Sequence, residues 1–306
     1  MNIKKTGKTI KYFFARLGLN FFSTIVKIMP SDMRLLYGFA SNFSMIGYHI
    51  ASKHRRVALE GLKAAFGNTK PAKELEQIAR DCFTFIAKSA IELIYLMDRP
   101  DLIRQRVILE NKEHLLAAAR KGRGVILVSA HFGNFPLMLA RLSLEGFHAG
   151  GIMRHMRDQR VEQLFLQKRK RLKIRTIYAN PRKACVEDSI RALRNNELLF
   201  IPLDQNFGTG GIFVDFFGRK AATATGPVVL AMRTKAAILP CFVVRNSDDT
   251  HKIIFEPEFL LQKSPDHKEN IQANIQKLTD IIESYIRRYP AEWGWIHRRW
   301  KTQPRG

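Results

Sequence analysis

Along the start of the chain, apolar positions recur in steps of three or four. Ile10, Phe14, Leu17, Phe21, Ile25 and Ile28 fall on one helical face. Lys8, Lys11, Arg16, Asn20, Thr24 and Lys27 occupy much of the remainder, so the spacing predicts an amphipathic helix over 8–29 that lies in a membrane interface. Pro30-Ser-Asp32 separates it from a second apolar stretch, Leu35–Ser52. Neither stretch reads as a membrane span. The uncharged part of the first, Leu17–Val26, is half the roughly 20 residues required, and Ser41, Asn42, Ser44 and His49 dilute the second. Asn68-Thr-Lys-Pro71 then starts a helix with periodic apolar residues through Leu96, ended by Asp98-Arg-Pro-Asp101.

Beyond that point the texture becomes alternating. Continuous Val/Ile/Leu runs predict strands at Gly124–Ser129, Ala149–Met153, Ile174–Tyr178, Glu197–Leu203, Ala237–Val244 and Lys252–Phe255. Helical patterns fall between them at Leu137–Leu144, Ser189–Arg194 and Pro227–Thr234. Strands separated by helices imply an α/β fold with a mixed, largely parallel central sheet flanked by helices. We expect a membrane-associating helical segment over 1–67 and the α/β domain over 68–306. Sites in such sheets lie beyond the carboxyl ends of the strands, where His131 and Asp204 both fall.

The formal net charge of +24 changes the picture of partners. Such an excess attracts nucleic acid, anionic headgroups or an acidic protein. There is no zinc spacing, RNA-binding signature or long basic tail, which argues against nucleic acid. Cys82, Cys185 and Cys241 are scattered, as in a reducing compartment, and are read as core residues. With no ligand cluster and no phosphate-loop glycine pattern, neither a metal nor a cofactor is expected.

The candidate chemistry begins at "SAHFGNF", 129–135, where a buried strand delivers His131. Gly133 permits close backbone approach, Asn134 suits a helix N-cap, and amides at that helix start could steady an oxyanion. Arg154 follows a strand, and its planar fork suits a phosphate or a developing oxyanion. Asp158 is a weaker candidate to orient His131 and reads first as an ion-pair partner for Arg154 or Arg157. Lys168-Arg-Lys-Arg171, with Lys173 and Arg175, reads as a solvated face that could meet an acidic carrier or headgroups. Phe213, Phe216 and Phe217 fit either an acyl channel or a core, and Trp293, Trp295 and Trp300 with His297, Arg298 and Arg299 suit a membrane interface, with at least one of the tryptophans expected in the core.

These blocks, in order, resemble the bacterial lipid A biosynthesis acyltransferases, the lauroyl/myristoyl branch of the glycerolipid acyltransferase superfamily. "SAHFGNF" is similar to the family's HxGN[W/F] block, and "RRVALEGLKAAFG" (55–67) to the segment before its catalytic domain. "GIMRHMRD" (151–158) matches a strand-then-arginine block, residues 202–240 a DQ…FFG…T…G…LA…P pattern, and "YPAEWGWIHRRWKTQP" (289–304) its closing PExWxWxHxRWK. The resemblance implies a glycerolipid acyltransferase-like fold on the cytoplasmic face of a bacterial inner membrane. It implies transfer of an acyl chain from acyl carrier protein thioester, or acyl-CoA, to a lipid hydroxyl, foremost on a lipid A precursor. A lysophospholipid or aminolipid acceptor stays open. His131 would be the general base, with Gly133, Asn134, Arg154 and Gln205 around the substrate. The family places an acid five positions after the histidine, and here that position is Pro136. Asp204 is the first candidate to replace it, although the family's own pattern has this aspartate too. A non-catalytic lipid- or carrier-binding protein is the reading that Pro136 otherwise favours.

Overall fold

The computed structural model describes residues 33–156 and 158–304, so the amphipathic helix expected over 8–29 lies outside the described residues. Three helices come first: α1 (Met33–Ile50), α2 (Ser52–Phe66) and α3 (Ala72–Leu96). Helix α1 is apolar on more than one face. It buries Leu36, Tyr37, Ala40 and Tyr48 while Leu35, Phe43, Ile46 and Ile50 stay exposed. Among the described residues no helix is long and apolar enough to cross a membrane.

Then follow α4 (Pro100–Arg106), β1 (Val107–Glu110), α5 (Lys112–Ala119), β2 (Val125–Ser129), α6 (Phe135–Leu144), β3 (Ala149–Met153), α7 (Gln159–Arg171), β4 (Arg175–Tyr178), α8 (Arg182–Arg194) and β5 (Leu198–Pro202). The chain closes with β6 (Ile212–Phe216), β7 (Arg219–Thr223), α9 (Gly226–Thr234), β8 (Ala237–Arg245), β9 (His251–Phe255) and α10 (His267–Arg288). Seven strands form one sheet in the order β1-β9-β8-β2-β5-β3-β4. Every pairing is parallel except β8 with β9, so the α/β, mixed and largely parallel reading holds.

The central strands need apolar residues on both faces because helices cover both. In β2, Ile126 and Val128 enter one core, under α2, α8, α9 and α10; Val125 and Leu127 enter the other, with α1 and α6. Most predicted elements agree with the observed ones to within a residue or two; α8 starts seven residues before its predicted Ser189. The unanticipated β6–β7 hairpin turns through Phe217 and Gly218, both at positive φ (53° and 69°). Such a turn normally asks for Asn-Gly. Phe217 is held there because its ring is buried against Phe66, Trp295 and Trp300.

Candidate active site

Strand register builds the site. In the parallel β2–β5 pair, Ser129 stands opposite Pro202. His131 and Asp204 each follow two residues later, so they reach the same height past the carboxyl ends of neighbouring strands. His131 Nδ1 lies 2.9 Å from Asp204 Oδ1. The other carboxylate oxygen accepts from Trp293 Nε1 at 2.8 Å. An ionised carboxylate only accepts, so Nδ1 carries the ring proton and Nε2 presents a lone pair. The Gln205 amide donates to that Nε2 at 3.2 Å.

Burial by itself would lower the His131 pKa, but the charge of Asp204 and its hydrogen bond outweigh it and raise the value. Asp204 is buried, which opposes ionisation, yet His131 and Trp293 pull its pKa down to about 2. The result is an anionic carboxylate beside an imidazole whose side chain is still 33% exposed. Phe135 packs edge-on against the His131 ring, at 5.5 Å between centroids, and stacks on Phe200 at 5.1 Å.

Gly133 (φ 61°) makes its close approach to the protein's own backbone: a Cβ there would sit 1.9 Å from the Val243 carbonyl oxygen. Its amide donates to the Glu292 carbonyl at 3.0 Å, which occupies one of the donors considered for an oxyanion. Asn134 is buried beneath the turn, with its amide 2.8 Å from Glu92 Oε2, so it faces the interior. Pro136 sits in the first turn of α6, where its missing N–H is harmless. Arg154 is exposed just past β3, near enough to act on His297.

The closing segment departs from the interfacial belt suggested by its composition. Trp293 and Trp295 are buried and Trp300 is partly buried. Phe132 and Trp293 form an antiparallel bridge, and Gly294 N donates to the His131 carbonyl at 3.2 Å. Buried Arg299 donates to the Gln205 and Ala222 carbonyls at 3.3 and 2.6 Å, tying the Asp204–Gln205 loop to the hairpin. His297 stands in the same field. Burial lowers its pKa; Asp204 opposes that, while His131, Arg299 and Arg154 add to the lowering.

Other charged expectations resolve as structure. Asp158 caps α7 through the Arg160 and Val161 amides. Within the basic run, Lys168 is buried on Asp98 at 2.5 Å, Arg169 pairs with Glu162 at 3.1 Å, and Arg175 pairs with Glu197 at 2.6 Å. Phe216 and Phe217 belong to the aromatic core around Trp293, Trp295 and Trp300. Glu92 was not singled out from sequence, nor were the places of Phe135 against the His131 ring and of the Trp293 indole on Asp204. A lone acid inside the apolar run "IELIYL" was the only signal for Glu92.

The family described as "Bacterial lipid A biosynthesis acyltransferase" matches residues 1–302. The chain is 28% identical over 260 residues to the lipid A biosynthesis palmitoleoyltransferase of Escherichia coli K12, covering 83% of this chain and 81% of that protein. It is 23% identical over 304 residues to the lipid A biosynthesis lauroyltransferase of the same organism, covering 97% and 94%. A phosphatidylinositol mannoside acyltransferase of Mycolicibacterium smegmatis is 25% identical over 189 residues, covering 61% and 60%.

Proposed function

The chain belongs to the bacterial lipid A biosynthesis acyltransferase family, and from that premise we propose that His131 and Asp204 are the working pair of its acyl transfer. It is an O-acyltransferase with a lipid acceptor. We take the donor to be a fatty acyl thioester of acyl carrier protein and the acceptor a lipid A precursor, at the cytoplasmic face of a bacterial inner membrane. The net charge of +24 supports an acidic carrier and an anionic surface as partners.

The observation that carries this reading is the 2.9 Å contact between His131 Nδ1 and Asp204. It offers an orienting carboxylate where Pro136 supplies none, and so supports the catalytic reading over a non-catalytic homologue. An acceptor hydroxyl displaces the Gln205 amide at Nε2 and gives that nitrogen its proton. The oxygen attacks the thioester carbon, forming the new C–O bond and a tetrahedral oxyanion, which the exposed Arg154, close enough to act on His297, is proposed to meet. Collapse breaks the C–S bond, and the departing thiolate takes the proton back from the imidazolium. The mycobacterial relative favours one second reading, in which the acceptor is a glycosylated phospholipid.

The test is acyl transfer by detergent-solubilised full-length protein from carrier-protein thioesters to a lipid A precursor, a lysophospholipid and an aminolipid. Turnover on the lipid A precursor should fall by about 10²–10⁴ in His131→Ala. Pro136→Glu should change kcat by less than about threefold, under about 1 kcal/mol. A wild type silent on every acceptor, with activity appearing only in Pro136→Glu, would sink the reading.

A further inference from the structure

Behind the turn that carries His131 lies a second charged cluster, one that no step of the reaction above touches. Its centre is Glu92 of α3, fully shielded from solvent. The two carboxylate oxygens are sorted by partner. Oε1 accepts from the Tyr37 hydroxyl and from Arg245 Nη1, both at 2.7 Å. Oε2 accepts from Arg245 Nη2 at 2.9 Å and from Asn134 Nδ2 at 2.8 Å. His251 Nε2 lies 3.0 Å from both. Although burial opposes ionisation, His251 and Arg245 hold the carboxyl well below the usual carboxylate range.

Stability does not account for such an arrangement, because apolar residues of similar volume often replace a buried ion pair at no loss. The destination of one donor does. Asn134 lies three residues after His131, at the N-cap of α6. The turn between them has backbone ties to the closing segment, from Gly133 N to the Glu292 carbonyl and from Gly294 N to the His131 carbonyl. Those ties hold it from one side. On the other side its tie to the helical layer is the Asn134 amide, on Glu92 and, at 3.4 Å, on the Ser89 carbonyl. Asn134 Oδ1 is buried without a partner among the described residues, so the side chain's geometry is set by its amide end. Arg245 grips the carboxylate with both terminal nitrogens, which leaves Glu92 little freedom to follow a drifting turn.

We propose that Glu92 is a positioning residue for acyl transfer: it holds Asn134 and thereby fixes the turn from which His131 reaches Asp204. This deepens, and rests on, the reading of His131 as the base. A shift of about 1 Å at such a group costs on the order of 10²-fold in rate. The hold acts on the ring's aim and not on substrate binding, so its loss appears in kcat and leaves KM alone.

Glu92→Leu would leave Arg245 in the interior with Asp249 as its one remaining ion-pair carboxylate among the described residues and destabilise the fold, so the link is cut at its other end. In full-length Asn134→Ala, kcat should fall by about 10- to 100-fold while both KM values stay within about twofold. The His131 ring-proton titration followed by NMR should move to lower pH, as the ring loses the Asp204 charge. Tyr37→Phe removes a donor from Oε1 alone; it should lower the thermal midpoint yet keep kcat within about twofold and the His131 titration unmoved. Wild-type kcat and an unmoved titration in Asn134→Ala overturn the proposal. So does a Tyr37→Phe protein that loses as much kcat as Asn134→Ala, since both would then track stability. If His131→Ala keeps wild-type turnover, the functional reading fails separately, and the titration alone upholds or overturns the hold.

Discussion

Two histidine–carboxylate pairs lie on opposite sides of one turn, His131 with Asp204 in front and His251 with Glu92 behind. The contacts are nearly equal in length, 2.9 and 3.0 Å. Access and company differ. The His131 side chain is one-third exposed, its Nε2 faces a displaceable amide, and Asp204 has an indole as its other side-chain donor. His251 has no exposure, and its carboxylate is shared with a guanidinium, a phenol and an amide. On the proposed reading, the same two functional groups serve as a base in one place and as a brace in the other. An open nitrogen suits the first pair to chemistry; a crowd of donors suits the second to a structural hold.

Three changes test that contrast, the largest first. Asp204→Asn should lower kcat by about 10²–10⁴, the scale set by removing the orienting acid from a serine protease triad. On the proposed mechanism the neutral ring is the active form, and Asp204 raises its pKa, so wild-type activity should rise with pH through a midpoint above about 6.5. In Asp204→Asn that midpoint should move down while the plateau falls, which a pH profile of kcat would record.

Next, Arg245→Met should destabilise the fold by about 3–5 kcal/mol, because it leaves Glu92 buried without its bidentate partner. Adding Glu92→Leu to Arg245→Met should restore much of that stability in denaturant unfolding. A double variant as unstable as the single would break the claim that the rear pair is an ion-pair brace.

The third change concerns Glu292, whose carboxyl accepts the Arg245 backbone amide beside Glu92. Burial is the main reason its pKa is pushed up to about 8, with Glu92 adding to the rise. The folded state then holds this proton more tightly than the unfolded state, so its deprotonation costs stability as pH rises from about 4.5 to about 8. Glu292→Gln should be little different from wild type below that window and more stable above it, by on the order of 2 kcal/mol. Unfolding midpoints across the window should diverge; parallel curves would refute the shift.

The sequence made the front pair partly legible and the rear pair not at all. The runs of β2, β5 and β8 are continuous and apolar, so strand ends were readable and put His131 and Asp204 on one edge. Register, which sets their heights, is a pairwise property that a single chain does not display. Glu92 was hidden because one acid in a long helix looks like a solvent-facing residue until the fold turns that face inward. Trp293 and Arg299 misled in the opposite direction: indoles beside cations read as an interfacial belt, yet tertiary packing buries both. The Phe217–Gly218 turn lacked turn chemistry because its strain is held by distant aromatic rings.

The pairing of Ser129 with Pro202 carries a consequence for how this enzyme can evolve. The halves of the proposed dyad are 73 positions apart in sequence and meet because two strands count in step. Deleting or inserting one residue within Leu198–Pro202 would reverse the side-chain alternation and carry Asp204 off its level. Position 136 bears no such constraint, so substitutions can accumulate at that one position while Asn134 and Phe135 beside it stay held. Length changes in β5 would be eliminated, and the lineage is free to drift at the one place and fixed at the other.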